Sequence, residues 1–195
     1  MGNTKEEILT VALHLFARDG YEAVSVSRIA GELGMTKGAL YRHYQNKRDI
    51  FEHIVKRMEQ GDSEQAEKNN VPEEEMEKDP EKYQETTMED FLEYSKSMFK
   101  YWTEDDFASS FRKMLTLEQF RNEEMQGLYQ QYLASGPVGY VKDLFQSMGI
   151  VEADYKAVRF YAVMYLYYSI YDGAKDKEKV TKELETALNE MIREF

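Results

Sequence analysis

Apolar positions recur every three or four residues along most of the chain, the spacing of helices with one buried face. Ile8, Ala12 and Phe16 align, flanked by Leu9, Leu13 and Leu15, and Gly20 closes the run. Thr4, with Glu7 three residues on, has the form of a capping box at its start. Tyr21 and Val24 pack the connection that follows. Val26, Ile29, Ala30 and Leu33 then make a shorter stripe, with Ser25 at the cap position and Gly34 suited to the left-handed residue that ends a helix. After a turn of about three residues, Thr36 can cap a third helix, Lys37 to Tyr44. Asn46 with Asp49 opens a fourth, whose apolar set is Ile50, Phe51, Ile54, Val55 and Met58.

The pattern breaks over residues 59–90, which hold 13 Asp+Glu against three Lys, with Pro72 and Pro80 and few large apolar groups. This composition predicts a tail of the fourth helix and then a mobile acidic loop, 59–86. A partner-binding acidic segment is the alternative. Helical spacing resumes at Thr87, with Met88, Phe91, Leu92, Tyr94, Ser95, Met98, Phe99 and Trp102 on one face. A helix follows through Phe107, Phe111, Met114, Leu115 and Leu117, then one over 121–134 and, past Gly136-Pro137, one over 138–148 ended by Gly149. Residues 153–171 are the most apolar stretch, and the last helix, 177–194, aligns Val180, Leu184, Ala187, Leu188, Met191 and Ile192. No strand signal and no internal repeat is present. The expected fold is all-α with about nine helices. A three-helix helix-turn-helix domain spans 1–48, and a helical effector-binding and dimerisation domain spans 49–195.

Two short helices about a Gly-containing turn, the second of them polar, place that second helix in the DNA major groove. Here it carries Lys37, Tyr41, Arg42, His43 and Tyr44. The net charge of −12 opposes this only if taken whole. Residues 1–57 hold nine Lys+Arg and seven Asp+Glu, a net of +2, while 58–195 hold 16 and 30, a net of −14. The N-terminal quarter suits phosphates, and the acidic remainder is repelled by them. With +2 alone, the placement of individual cations matters more than bulk charge.

The run Ala17-Arg18-Asp19-Gly20-Tyr21-Glu22-Ala23-Val24-Ser25-Val26, then Ile29-Ala30, Gly34 to Tyr44 and Asn46-Lys47, resembles the DNA-binding domain of the TetR (tetracycline repressor) family. The resemblance covers residues 5 to 55. It implies a homodimer on a palindromic double-stranded DNA operator, and repression relieved when a small-molecule effector enters the C-terminal domain. Carried over by position, Ser25 is a helix cap that also touches phosphate. Thr36, Lys37 and Gly38 begin the recognition helix. Tyr41, His43 and Tyr44 fall at backbone or base contacts, Lys47 at a phosphate contact, and Arg42 at a variable, base-reading position. The family has a basic residue two after the cap and an acidic one three after it. Ser27 and Arg28 stand there instead, which leaves open which of the two meets a phosphate. The residue chemistry agrees: arginine can hold guanine through two hydrogen bonds, hydroxyls and lysines are phosphate donors, and Gly38 leaves room for a close approach. Leu40 reads as core, and Tyr44 as either core or DNA contact.

Tyr94, Met98, Tyr101, Trp102, Phe111, Met114, Tyr129 and Tyr132 suit a pocket for an apolar or aromatic ligand, with tyrosine hydroxyls as polar handles. Residues 158–171 carry more apolar groups than one core-facing stripe needs, so the last two helices predict a dimer seam through Tyr161, Met164, Tyr165, Tyr168, Leu184, Leu188 and Met191. No nucleophile–base pairing or phosphate-binding loop is visible, so no enzyme and no cofactor is expected. With no cysteine, a metal would need His14, His43 or His53 plus carboxylates, and His14 and His53 read as plain helix residues. No apolar run reaches membrane-spanning length. The N-terminus lacks a signal-peptide pattern, and Met1-Gly2 opens like a myristoylation site but has Glu6 where Ser or Thr is wanted. The expectation is a cytoplasmic protein that meets no membrane.

Overall fold

The computed structural model describes residues 4–73 and 75–195; Met1-Gly2 lie outside them. Eleven helices follow in order: α1 (Thr4–Asp19), α2 (Val26–Glu32), α3 (Lys37–Leu40), α4 (Lys47–Lys68), α5 (Pro80–Glu85), α6 (Met88–Glu104), α7 (Asp106–Glu118), α8 (Glu123–Leu133), α9 (Ser135–Ser147), α10 (Ala153–Gly173) and α11 (Lys177–Arg193). There is no strand among the described residues. Several boundaries differ from the expected ones, and Gly136-Pro137 lies in the first turn of α9 rather than ahead of it. Thr4 is itself helical, and α3 ends at Leu40 rather than Tyr44. Beyond Leu40 the chain tightens: the amides of Arg42 and His43 bond the carbonyls three residues back, at 3.2 and 2.9 Å.

The helices gather into two compact units, one made of the chain through Gly61 with Asp106–Tyr129, the other of Asp62–Asp105 with Gln130–Phe195. In the first, Ile8, Ala12, Leu13 and Phe16 of α1 are wholly buried and α1 packs against α7, whose Phe111, Met114 and Leu115 are equally buried. Ile29 of α2, Leu40 of α3, and Ile50, Ile54 and Met58 of α4 complete this core at 0% exposure. Each such aliphatic or aromatic side chain contributes about 1.5–3 kcal/mol on burial.

In the second unit α10 packs against α9, α11 and α6. Phe91 meets Phe145 and Phe160 with ring centroids 5.2 and 4.8 Å apart, and Phe99 stacks on Tyr168 at 5.5 Å. The acidic stretch begins as the expected tail of the fourth helix and only then differs from the loop its charge predicts. α4 runs on to Lys68, and α5 forms with Asp79 as its cap and Pro80 in its first turn. Val71 and Tyr83 are buried; the Tyr140 hydroxyl donates to the Pro72 carbonyl (2.9 Å) and the Ser147 hydroxyl to that of Tyr83 (3.0 Å). Two buried side chains and two tertiary hydrogen bonds outweigh the mutual repulsion of exposed carboxylates.

The seven residues expected at a dimer seam divide. Tyr161, Met164, Tyr168, Leu184 and Leu188 face the unit's own core, and Tyr161 donates to the Leu133 carbonyl at 3.0 Å. Met191 is half-buried and Tyr165 exposed. The outward apolar groups are Val151, Tyr155, Val158, Tyr165, Leu166 and Ile170. Among the described residues no helix is long and apolar enough to cross a membrane.

Candidate nucleic-acid interface

Local chemistry builds the α2–α3 motif. The Ser25 hydroxyl accepts the Arg28 amide (3.2 Å), and the Thr36 hydroxyl accepts the Ala39 amide (3.1 Å), so both helices begin on side-chain caps. Gly34 sits at φ +64°, the left-handed residue that turns the chain between them. Two bonds cap the head of α4: the Asp49 amide donates to the Asn46 side chain (2.9 Å), and the Gln45 amide donates to the Asp49 carboxylate (2.7 Å).

This frame sorts the predicted residues. Lys37, Gly38, Tyr41 and Arg42 are exposed and His43 half-exposed, on α3 and the turn that follows it, where Leu40 is buried. The Lys37 ammonium lies 5.6 Å from the Tyr41 ring centroid, a cation–π contact one turn apart. Among the described residues neither Lys37 nor Arg42 is engaged by a carboxylate. A Cβ at Gly38 would meet nothing within 4 Å, so packing does not demand glycine there. Ser25, Ser27, Arg28 and Thr36 are exposed as well, and Arg28 pairs with Asp19 at 2.9 Å.

Tyr44 is the core residue of the two readings: it is 3% exposed and its hydroxyl donates to the Lys5 carbonyl at 3.2 Å. Burial, with Glu6 and Asp49 nearby, pushes that hydroxyl up to about 12. Lys47 is also engaged. Its ammonium bonds the Tyr21 carbonyl at 2.9 Å, lies 4.2 Å from the Tyr21 ring centroid and approaches Glu22 at 3.7 Å. His14 meets Asp106 (2.8 Å) and His53 the Asp49 carbonyl (2.8 Å), each a helix-surface contact.

The eight candidate ligand residues divide between the units. In the second, Trp102 sits between Tyr101 and Tyr132, with ring centroids 5.8 and 6.2 Å away, and Tyr94 lies 5.8 Å from Tyr140. Burial, with Asp62 near, raises the Tyr94 hydroxyl above its ordinary range. Met98 is half-buried. In the first unit Phe111, Met114 and Tyr129 are buried. An open groove of about 660 Å³ runs elsewhere, along α11, between Tyr167, Asp176, Lys179, Lys182, Glu183 and Glu190.

Two residues escaped the sequence reading. Glu118 is 2% exposed; its carboxylate accepts the Tyr21 amide (3.2 Å) and Arg121 (3.0 Å). Glu124 takes the Arg48 guanidinium in a two-pronged bond, Nη2 to Oε1 at 2.6 Å and Nη1 to Oε2. In so acidic a chain, carboxylates read as solvated faces. The signal for Glu118 was its position: Phe111, Met114, Leu115 and Glu118 fall on one helical stripe, which puts a carboxylate in a core register.

The profile of the family described as "Bacterial regulatory proteins, tetR family" matches residues 8–54. The transcriptional regulator AcrR of Shigella flexneri is 43% identical over 51 residues, 26% of this chain and 24% of that protein. A helix-turn-helix-type regulator of Staphylococcus aureus (strain USA300) is 40% identical over 53 residues, 27% and 29% of the two. The chain thus spans about a quarter of the length of these curated relatives. Solved structures match its whole length. A regulator of the same group from Aquifex aeolicus VF5 superposes with a TM-score of 0.72 at 17% identity, covering 96% of this chain and 98% of that one. SmeT in complex with triclosan superposes with 0.68 at 16%, covering 98% and 91%. At such identities these structures carry the fold alone. The profile and the curated relatives fall on the helices whose caps and exposed tip are described above, and over that segment the chain is similar to the tetR family of bacterial regulatory proteins.

Proposed function

We propose that the chain is a sequence-specific DNA-binding transcriptional regulator, a repressor that holds a palindromic operator as a dimer and is released by a small molecule. Residues 1–48 read DNA and residues 49–195 bind the effector and the second copy. One observation carries the reading: a capped helix and the turn after it bury Leu40 and expose Lys37, Tyr41 and Arg42, with neither cation engaged by a carboxylate among the described residues. Ser25, Ser27, Thr36 and Gly38 supply hydroxyls and a bare backbone for phosphates, and His43 joins Arg42 and Lys37 toward base edges. The half-sites lie one turn of DNA apart, roughly 34–36 Å. Tyr44 serves from inside, by holding the tip in place. Lys47 acts on phosphate only if it shares its ammonium with Tyr21, and Arg28 only if it shares with Asp19.

The effector is an apolar or aromatic molecule taken by the residues around Trp102. SmeT, the repressor of a multidrug efflux pump in Stenotrophomonas maltophilia, shares the fold and is seen with triclosan. An effector acts only through its different affinity for the two states of the protein, and a 100-fold loss of operator affinity corresponds to about 2.7 kcal/mol of coupling. The packing of Val71 and Tyr83 within their own unit favours this reading over an adaptor that offers the acidic stretch to a partner.

A mobility-shift assay with DNA from upstream of the protein's own gene tests the reading. A specific shift is expected, and no shift with any palindrome at low salt would overturn it. In the same assay Arg42→Ala should cost about 1–3 kcal/mol on the preferred sequence and flatten the preference at one base position, with little change on unrelated DNA. Equal losses on all sequences would make Arg42 a phosphate contact instead.

A further inference from the structure

Resting on the reading of α3 as the recognition element, we propose that Glu118 and Glu124, on the corner where α7 meets α8, are positioning residues that fix the helix-turn-helix at both of its ends. The chain enters the motif through Gly20-Tyr21 and leaves it through Lys47-Arg48. At the entrance, Glu118 accepts the Tyr21 amide while Lys47 holds the Tyr21 carbonyl, so one residue is tied on both sides of its backbone. Its ring is set between Phe16 and Phe51, with centroids at 5.0 and 5.3 Å. Gly20 bends past this carboxylate at φ +89°. A Cβ there would stand 2.8 Å from both Glu118 Oε1 and Arg121 Nη1, so the turn is moulded around the ion pair.

At the exit, Arg48 in the first turn of α4 grips Glu124 in the first turn of α8 with two bonds and Glu52 with a third, at 2.8 Å. The hydrogen bonds and charge of Arg48 hold the Glu124 carboxyl below its ordinary range. Planar, two-pronged guanidinium–carboxylate pairs fix orientation as well as distance. α2 and α3 therefore hang between two anchors set six residues apart on one corner. The apolar seam between α1 and α7 supplies cohesion; the carboxylates supply register, Glu118 from a buried position and Glu124 through a two-pronged pair at the surface.

The test is a charge exchange read by DNA affinity, thermal unfolding and amide hydrogen exchange of the full chain. Glu124→Arg and Arg48→Glu should each weaken specific binding about tenfold, and the double exchange should recover most of the loss, as a coupled pair does. Plain electrostatics predicts the opposite sign for Glu124→Arg, which adds positive charge and so would strengthen binding. Glu118→Gln keeps an acceptor for the Tyr21 amide and should lose less than Glu118→Ala. Hydrogen exchange over residues 21–48 should rise in each single variant and fall back in the double exchange, with α10 and α11 unchanged. Single variants that bind and exchange like the parent, or a double exchange with no recovery, would overturn the proposal. If the parent binds no DNA, the functional reading fails, and hydrogen exchange alone still decides whether the corner positions the motif.

Discussion

Val158→Asp with Leu166→Asp should yield a folded monomer that no longer binds its operator at concentrations where the parent does. Both side chains stand on the outer face of α10, 53% and 57% exposed, in a row with Val151, Tyr155, Tyr165 and Ile170. The opposite face, through Ala157, Phe160, Tyr161, Met164, Tyr168 and Tyr171, is already spent on the unit's core. A helix apolar on all sides needs cover on all sides, and a second copy offers the same row in return. Half-exposed Val and Leu gain on the order of 1 kcal/mol each when covered. A two-fold seam counts them four times, so about 4 kcal/mol, roughly a thousandfold in dimer dissociation, rides on these two positions. Each new carboxylate adds its own desolvation cost. Because the residues face outward, the packing of the monomer should be kept, and the unfolding midpoint should fall only by the share that dimerisation supplies, becoming independent of protein concentration. Sedimentation at micromolar concentration checks the monomer, and a dimer that persists in the double variant would place the seam elsewhere.

The same helix shows what was legible in the sequence and what was not. The surplus of apolar groups over 158–171 was visible, and it pointed to a face that needs a partner. Its phase was not. Tyr161, Met164 and Tyr168 are no more apolar than Val158 and Leu166, and only the packing of α9, α11 and α6 decides which set turns inward. Caps were legible at Ser25, Thr36 and Asn46 because capping chemistry is local, a hydroxyl or amide two or three residues from the amides it serves. The end of α3 was not, because it depends on Leu40 and Tyr44 both reaching the core, a tertiary demand. In the acidic stretch, charge outweighed a signal that was present: Asp79-Pro80 is a helix start, and Tyr83 falls on the inner side of that helix. Glu118 and Glu124 were lost for the same reason, since the partners of a carboxylate lie far away in sequence: Tyr21 and Arg48.

Leu40→Ala should remove DNA binding by loosening the reading head rather than by touching DNA. α3 is four residues long, and a single turn has no stability of its own in water. It holds its place through the Thr36 cap, through Leu40 at 0% exposure and through Tyr44 just beyond it. Truncating a buried leucine costs about 2–5 kcal/mol, the larger part where the surroundings cannot collapse into the space. Against a total stability of about 5–15 kcal/mol for a domain, that is enough to detach α3 well before the first unit unfolds. Denaturant unfolding should therefore show the loss of stability. Affinity for operator should fall even at temperatures where most of the chain remains folded. Leu40→Met, which conserves volume, should cost less than about 1.5 kcal/mol and keep binding. The pair separates two roles that one substitution would confuse. If Leu40→Ala destabilised the chain yet bound its operator as the parent does under folded conditions, the exposed tip at Lys37, Tyr41 and Arg42 would not be the element that reads DNA.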